Sequence, residues 1–296
     1  MIIVRLAGGL GNQMFQYAAA RRLAYVNDMP LKLDVKWFSN IPGGDTYRQY
    51  ELQVFNCVQD IASLNEVQAL RGVDITRWPK ILKRLLKNTG LLMKKSCARE
   101  EHFHFDPEIL RLNGDVYLDG YWQSEKYFVD IEEIIRTEFT IHSAPDPVNK
   151  EAGENIRSCE AVSIHVRRGD YVANRVIGQH YAVSSLEYYK AAIAELTARV
   201  RNPRFFVFSD EPDWVKSNLM VDAPMTYLDH NGTEKAYEDL RLMSLCKHHI
   251  ITNSSFSWWG AWLSGNPGKV VIAPQKWFNR EDVKIDDLIP EGWLRL

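Results

Sequence analysis

Met1-Ile2-Ile3-Val4-Arg5-Leu6-Ala7-Gly8-Gly9-Leu10-Gly11-Asn12-Gln13 opens the chain, and its reading decides the fold. The apolar, β-branched run from Ile2 to Leu6 predicts a buried strand. Ala7 to Gln13 reads as a glycine-rich turn, Met14 to Val26 as an Ala-rich helix, and Leu31 to Val35 as a second strand. Strand, turn, helix, strand is the start of a doubly wound sheet. Gly9 and Gly11 supply the first pair of a dinucleotide-type G-x-G-x-x-G, but Met14 holds the third position. Asp34 sits about where a ribose-binding acid would, so a nicotinamide-cofactor reading stays open beside a plain tight turn. Asn12 and Gln13 would bring two side-chain amides to the edge where ligands sit.

Outward from this opening, 296 residues suit two compact domains or one large α/β unit, and 46% hydrophobic residues are enough to fill real cores. A formal charge of -2 argues against a general nucleic-acid binder. Cys57, Cys97, Cys159 and Cys246 form no C-x-x-C pair and fit reduced, mostly buried thiols rather than a disulfide framework or a zinc site. The start shows no signal-peptide pattern, and no apolar run is long enough to span a bilayer. The expectation is a cytoplasmic protein.

Val116 to Leu118 predicts another strand and Glu125 to Phe139 a helix. Ser143-Ala144-Pro145-Asp146-Pro147 is the linker candidate, since two prolines one residue apart resist both helix and sheet. That divides the chain into expected domains at 1–150 and 151–296. The second half alternates strands (Ala161–Val166, Arg204–Ser209, Met225–Leu228, His249–Thr252, Val270–Ala273) with helices (Leu186–Val200, Glu211–Leu219, Glu234–Cys246, Phe256–Leu263). Ser184 and Glu187 have capping-box spacing at the first of these helices. Two Rossmann-like domains are the economical architecture.

Chemistry gathers where the predicted strands end. Ser163-Ile164-His165-Val166-Arg167-Arg168-Gly169-Asp170-Tyr171 passes abruptly from a buried strand to two guanidiniums, a glycine and a carboxylate. Arginine forks match phosphate or carboxylate oxygens, although structural salt bridges would also use them. Ser209-Asp210-Glu211 and Asn253-Ser254-Ser255 end two further strands, and in a parallel sheet those ends share one edge. Asn253-Ser254-Ser255 precedes a helix, whose first N–H groups suit phosphate. Ser254 or Ser255 could equally be the N-cap, and Asp210 could cap the helix after it. No two aspartates are two apart, so a nucleotide diphosphate would be balanced by Arg and helix N-termini rather than a dedicated Mg²⁺ pair. Trp258, Trp259 and Trp262 could stack on a sugar or a base, or face the core. Arg77 to Arg99 holds eight basic residues and no acidic one, a pattern for an anionic membrane surface or for a packed helix with a solvated face.

With these residues in place, the sequence resembles the α-1,2-fucosyltransferases of glycosyltransferase family 11, in a bacterial form. Gly8 to Tyr17, Gly120-Tyr121-Trp122-Gln123-Ser124-Glu125-Lys126-Tyr127-Phe128, His165 to Asp170 and Asn253 to Trp259 carry the resemblance. It implies a GT-B fold, two Rossmann-like domains facing a central cleft, with the acceptor side at 1–150 and the GDP-sugar side at 151–296. It implies GDP-fucose as donor, no metal or other cofactor, and inversion at the anomeric carbon. By the same resemblance Arg167 would bind the β-phosphate, and His165 and Asp210 the guanine or ribose end. Asn253, Ser254 and Ser255 would hold the diphosphate, with Gly9, Gly11 and Asn12 reaching it from the other domain. Asp170 is the nearest carboxylate for the acceptor proton, or else the ion-pair partner of Arg168. The implied acceptor is a terminal β-galactoside, which could be lipid-linked at the inner face of the cytoplasmic membrane. Another fucosyl linkage and a catalytically silent sugar-nucleotide binder are the competing readings.

Overall fold

The computed structural model describes residues 1–43, 46–72, 96–169, 182–280 and 282–296. Chain contacts divide it into two compact units. Met1–Gly43, Tyr47–Thr140 and Asp286–Leu288 form the first, while Ile141–Ile285 and Ile289–Leu296 make up the bulk of the second.

The first unit begins as the opening residues predict, with β1 (Ile2–Arg5), α1 (Leu10–Val26) and β2 (Leu31–Asp34). Helix α1 starts four residues earlier than expected, because Gly9 serves as its N-cap and its carbonyl accepts the N–H groups of Asn12 and Gln13. It is buried on most sides, which is why alanines and a glycine suit it. After α2 (Leu64–Arg71) come β3 (Cys97–Arg99) and β4 (Val116–Asp119). The four strands are parallel, in the order β2-β1-β4-β3. The helix expected over Glu125–Phe139 is two 3₁₀ turns, Glu125–Tyr127 and Val129–Ile131, followed by α3 (Glu132–Glu138). The basic stretch is described only from Ser96 on, where it enters β3; its remaining residues lie outside the described ones.

The second unit opens with α4 (Pro147–Arg157), so the expected linker is a helix start. Asp146 caps it by accepting Asn149 N–H at 3.0 Å, and Pro147 occupies the first turn, where its missing N–H costs nothing. The 150/151 boundary therefore falls inside a helix of this unit. There follow β5 (Glu160–Val166), α5 (Leu186–Arg199), β6 (Pro203–Ser209), α6 (Pro212–Asn218), β7 (Met225–Tyr227) and α7 (Ala236–Leu245). The unit ends with β8 (His248–Ile250), α8 (Ser255–Leu263), β9 (Val271–Ala273) and β10 (Leu294–Arg295). All six strands are parallel, in the order β10-β9-β8-β5-β6-β7.

Val162, Ile164 and Val166 of β5 pack in one core with Tyr189, Ala192, Ile193 and Leu196 of α5. The alternate residues Ser163 and His165 point to the opposite face by the two-residue period of a strand. There Ser163 Oγ meets His249 Nδ1 at 2.8 Å, and the His165 ring lies 5.6 Å from Phe256 of α8. Trp258, Trp259 and Trp262 are all buried, ring against ring, with centroids 5.0 to 6.2 Å apart. The sugar-stacking reading of these tryptophans is thus corrected: α8 is apolar enough to be core, and its indoles anchor it. Gly260 lets α7 approach, since a Cβ there would stand 3.0 Å from Met243 Cβ. Lys269 Nζ donates to the carbonyls of Ala261, Trp262 and Ser264, capping the negative end of α8.

Candidate functional site

In each sheet there is one place where the chain switches direction. In the second unit it lies between β5 and β8, from which β6 and β7 run one way and β9 and β10 the other. Ligands of open α/β sheets bind beyond the carboxyl ends of the strands at such a point. Val166 pairs with Ser209, so the segments after β5 and β6 leave the sheet at one level. Ile164 pairs with Ile250, which brings Thr252-Asn253-Ser254 out on the other side of β5.

The two arginines, adjacent in sequence, do different work. Arg168 is a scaffold group: its Nε lies 3.2 Å from Glu211 Oε2 and its guanidinium sits 3.5 Å above the Trp214 ring. That pairing supplies, among the described residues, the ion-pair partner sought in Asp170, which itself lies outside them. Arg167 places its Nε 3.2 Å from Asp210 Oδ2 at the edge of the site. Asp210 does not cap α6, whose N-cap position is Glu211. Its carboxylate instead accepts the N–H groups of Arg168 and Gly169, both at 3.0 Å. Gly169 is needed for this approach, because a Cβ there would meet Asp210 Oδ2 at 2.8 Å. Asp210 thereby fixes the path of the loop that carries Arg167.

His165 is buried, its Nδ1 has no hydrogen-bond partner among the described residues, and burial together with the Arg167 charge pushes its pKa down to about 3. The ring is neutral at physiological pH, so it offers hydrogen bonding rather than charge. On the other side of the switch point, Asn253 is a tie. Its amide donates to the carbonyls of Ala182 and, at 2.9 Å, Trp277, while its Oδ1 accepts from Thr252. Ser254 occupies the N-cap position of α8, yet its hydroxyl makes no capping bond, and Ser255 begins the helix. The positive end of α8 thus opens at the same edge as Arg167 without a side-chain cap. The capping box expected at Ser184 and Glu187 is one residue off: Ser185 caps α5 through Tyr188 N–H, and Ser184 Oγ lies 2.9 Å from Thr252 Oγ1.

In the first unit the switch point lies between β1 and β4. Gly8 has φ +78°, and a Cβ on it would meet Asn12 Nδ2 at 2.6 Å. Asn12 Oδ1 accepts from Gln123 Nε2 at 2.7 Å, joining the turn after β1 to the loop after β4. Gln13 does not present its amide to a ligand. It is fully buried, donates to the carbonyls of Gly8 and Gln49, and accepts Glu51 N–H. Asp34 is likewise taken, accepting Tyr117 Oη–H at 2.7 Å and Lys36 N–H at 3.1 Å, which removes the carboxylate that a nicotinamide-cofactor reading needs. Gly11 is buried within α1, and Gly9 leaves room for Arg48, whose Nε would be 3.6 Å from a Cβ there.

Two groups at these edges were not visible as candidates in the sequence. Arg48 has no motif around it. Asp239 stands in the first turn of α7, which leaves the carboxyl end of β7. Burial pushes its pKa up to about 7, while Asn231 donates to it at 2.9 Å. A carboxyl held that high in a polar setting is a mark of functional sites, but one Asp in an ordinary helix pattern carries no such signal.

The fold and these edges define a doubly wound, two-unit α/β protein with a parallel sheet and a switch point in each unit. Residues 95–296 match glycosyl transferase family 11, and the chain belongs to that family. It is 33% identical to an α-1,2-colitosyltransferase of Escherichia coli, over 100% of this chain and 99% of that one. It is also 33% identical to the O-antigen biosynthesis glycosyltransferase WbnK of Escherichia coli, over 96% and 98%. A galactoside α-(1,2)-fucosyltransferase 2 of Gorilla gorilla gorilla is 26% identical over 90% of this chain and 69% of its own length. The chain is a glycosyltransferase of this family, in line with the resemblance read from its motifs.

Proposed function

We propose that this protein transfers L-fucose from GDP-fucose to the 2-hydroxyl of a terminal β-galactoside, with inversion and without a metal. The observation that carries this reading is the meeting of Arg167 and the uncapped start of α8 at one switch point, in a chain of this family. As the bond from fucose to the β-phosphate breaks, positive charge develops on the sugar and negative charge on GDP. Arg167 and the α8 N-terminus meet that growing negative charge, so they favour the transition state over the ground state. Asp210 keeps the Arg167 loop in register, and neutral His165 lines its base. The acceptor hydroxyl attacks the anomeric carbon from the opposite side, and Asp170, by its place in the sequence, is the candidate to take its proton.

The relatives' names support an α-1,2 linkage and O-antigen-type acceptors. No helix among the described residues is long and apolar enough to cross a membrane. A second reading keeps the linkage and changes the donor sugar to colitose, which is fucose without its 3-hydroxyl. The full-length likeness to a colitosyltransferase favours it. GDP release and product NMR with GDP-fucose and lactose, with and without EDTA, test the first reading. An EDTA-insensitive α-1,2-fucosyl product is expected. Turnover with GDP-colitose but not GDP-fucose would move the assignment to the second.

A further inference from the structure

The loop after β4, Gly120-Tyr121-Trp122-Gln123, belongs to the mid-chain stretch singled out by sequence, yet the donor site gives it no task. It makes a tight reversal. Trp122 has φ +55°, a left-handed conformation that a bulky residue rarely adopts. Glu100, the residue after β3, holds it there by accepting Tyr121 N–H at 2.7 Å and Trp122 N–H at 3.0 Å. Gly120 is forced, since a Cβ on it would stand 2.4 Å from Glu100 Cβ. Strain of this kind persists only where surrounding contacts over-determine it, and it concentrates at binding sites.

What the strained loop builds is a cavity of about 180 Å³ among Arg99, Glu100, His102, Asp106, Trp122 and Tyr127, beyond the carboxyl ends of β3 and β4. The Trp122 and Tyr127 rings meet edge to face at 5.6 Å and stand, almost fully buried, behind a mostly polar lining. The indole N–H of Trp122 is buried and finds no hydrogen-bond partner among the described residues. Pockets for drug-sized ligands start at about 300 Å³, so this space is too small for a nucleoside diphosphate and of the right order for one sugar ring. A sugar ring also fits the lining. Its hydroxyls can donate to Glu100 and Asp106 and accept from Arg99.

We propose that this cavity binds one sugar ring of the acceptor glycan, with the loop Gly120–Trp122 shaped by Glu100 for that purpose. The proposal rests on the glycosyl-transfer reading for the word acceptor, but sugar binding can be tested without turnover. The full chain, with its tryptophans ¹⁵N-labelled, would be titrated with methyl β-D-galactopyranoside. The indole N–H signal of Trp122 is assigned by its loss in Trp122→Phe. It is expected to move and saturate. In kinetics, Trp122→Phe and His102→Ala should each raise the acceptor KM about tenfold, the worth of one good hydrogen bond, with the KM for GDP-fucose unchanged. Should Trp122→Phe fail to fold, His102→Ala carries the comparison, because His102 is exposed at the rim. Transfer with an unmoved Trp122 signal and an unaltered acceptor KM overturns the cavity and leaves the transfer reading standing. A moving Trp122 signal in a protein that transfers from no GDP-sugar breaks the transfer reading and supports the sugar site.

Discussion

The switch points of the two units are built on the same topology and used in opposite ways. Between β1 and β4, side chains close on one another: Asn12 with Gln123, Gln13 with three backbone groups, Arg5 with Asp119 at 2.9 Å. Between β5 and β8, the scaffold groups are pulled to the flanks. Arg168 turns to Glu211 and Trp214, and Asn253 to Ala182 and Trp277. That leaves Arg167 and the α8 N-terminus at the edge. A glycine-rich turn between a strand and a helix is thus a packing device in one half, while the plainer half leaves a guanidinium and a helix start at its edge. What separates them is where each polar side chain finds its partner.

The largest expected effect breaks this comparison if it fails. Arg167→Lys keeps the charge and loses the planar fork, and should lower kcat by about a hundredfold or more. Near-normal turnover would remove Arg167 from the site. Next, Asp210→Ala leaves the N–H groups of Arg168 and Gly169 without their acceptor and should cost about 1.5–3 kcal/mol by urea unfolding. Turnover should fall with it, since the Arg167 loop loses its register. Gln123→Ala should cost about 1 kcal/mol through the lost bond to Asn12. GDP affinity in calorimetry should be retained, and a marked loss of it would show that the first switch point serves the donor as well.

A further expected effect is in the pH dependence of stability. His165 is held neutral, with a folded pKa of about 3 against 6.5 unfolded. The unfolded chain therefore binds the extra proton between those values, and stability falls as pH drops from 6.5 toward 3. Asp239, raised to about 7, acts in the other direction: its contribution is lost as pH rises from about 4 to 7. His165→Phe should flatten the first limb and Asp239→Asn the second, both read as Tm against pH.

Much of this was legible in the chain. Ile2-Ile3-Val4 and Ala161–Val166 announce buried parallel strands, because β-branched residues in an unbroken apolar run have few other places to go. The polar clusters that end them were legible for the same local reason. Cys97–Arg99 was not, being three residues long with nothing β-branched in it. Nor was the fate of the tryptophans, since an apolar helix against a sheet and an aromatic ligand platform share one composition until packing buries Trp258, Trp259 and Trp262. Pro147 misled as a linker signal because proline breaks helices inside and begins them at the first turn.

From the residues in order came the alternation of strand and helix, the polar ends of the strands and the family, all properties of short windows in which local pattern settles the backbone. The order of the strands, and so the two switch points, required the folded chain. So did the division of labour between Arg167 and Arg168, whose partners Asp210 and Glu211 lie 43 residues further on in each case. Neighbouring side chains of equal charge look alike in a sequence. Only the packed sheet, by placing Asp210 beside the one and Glu211 with Trp214 beside the other, gives them different partners and different tasks.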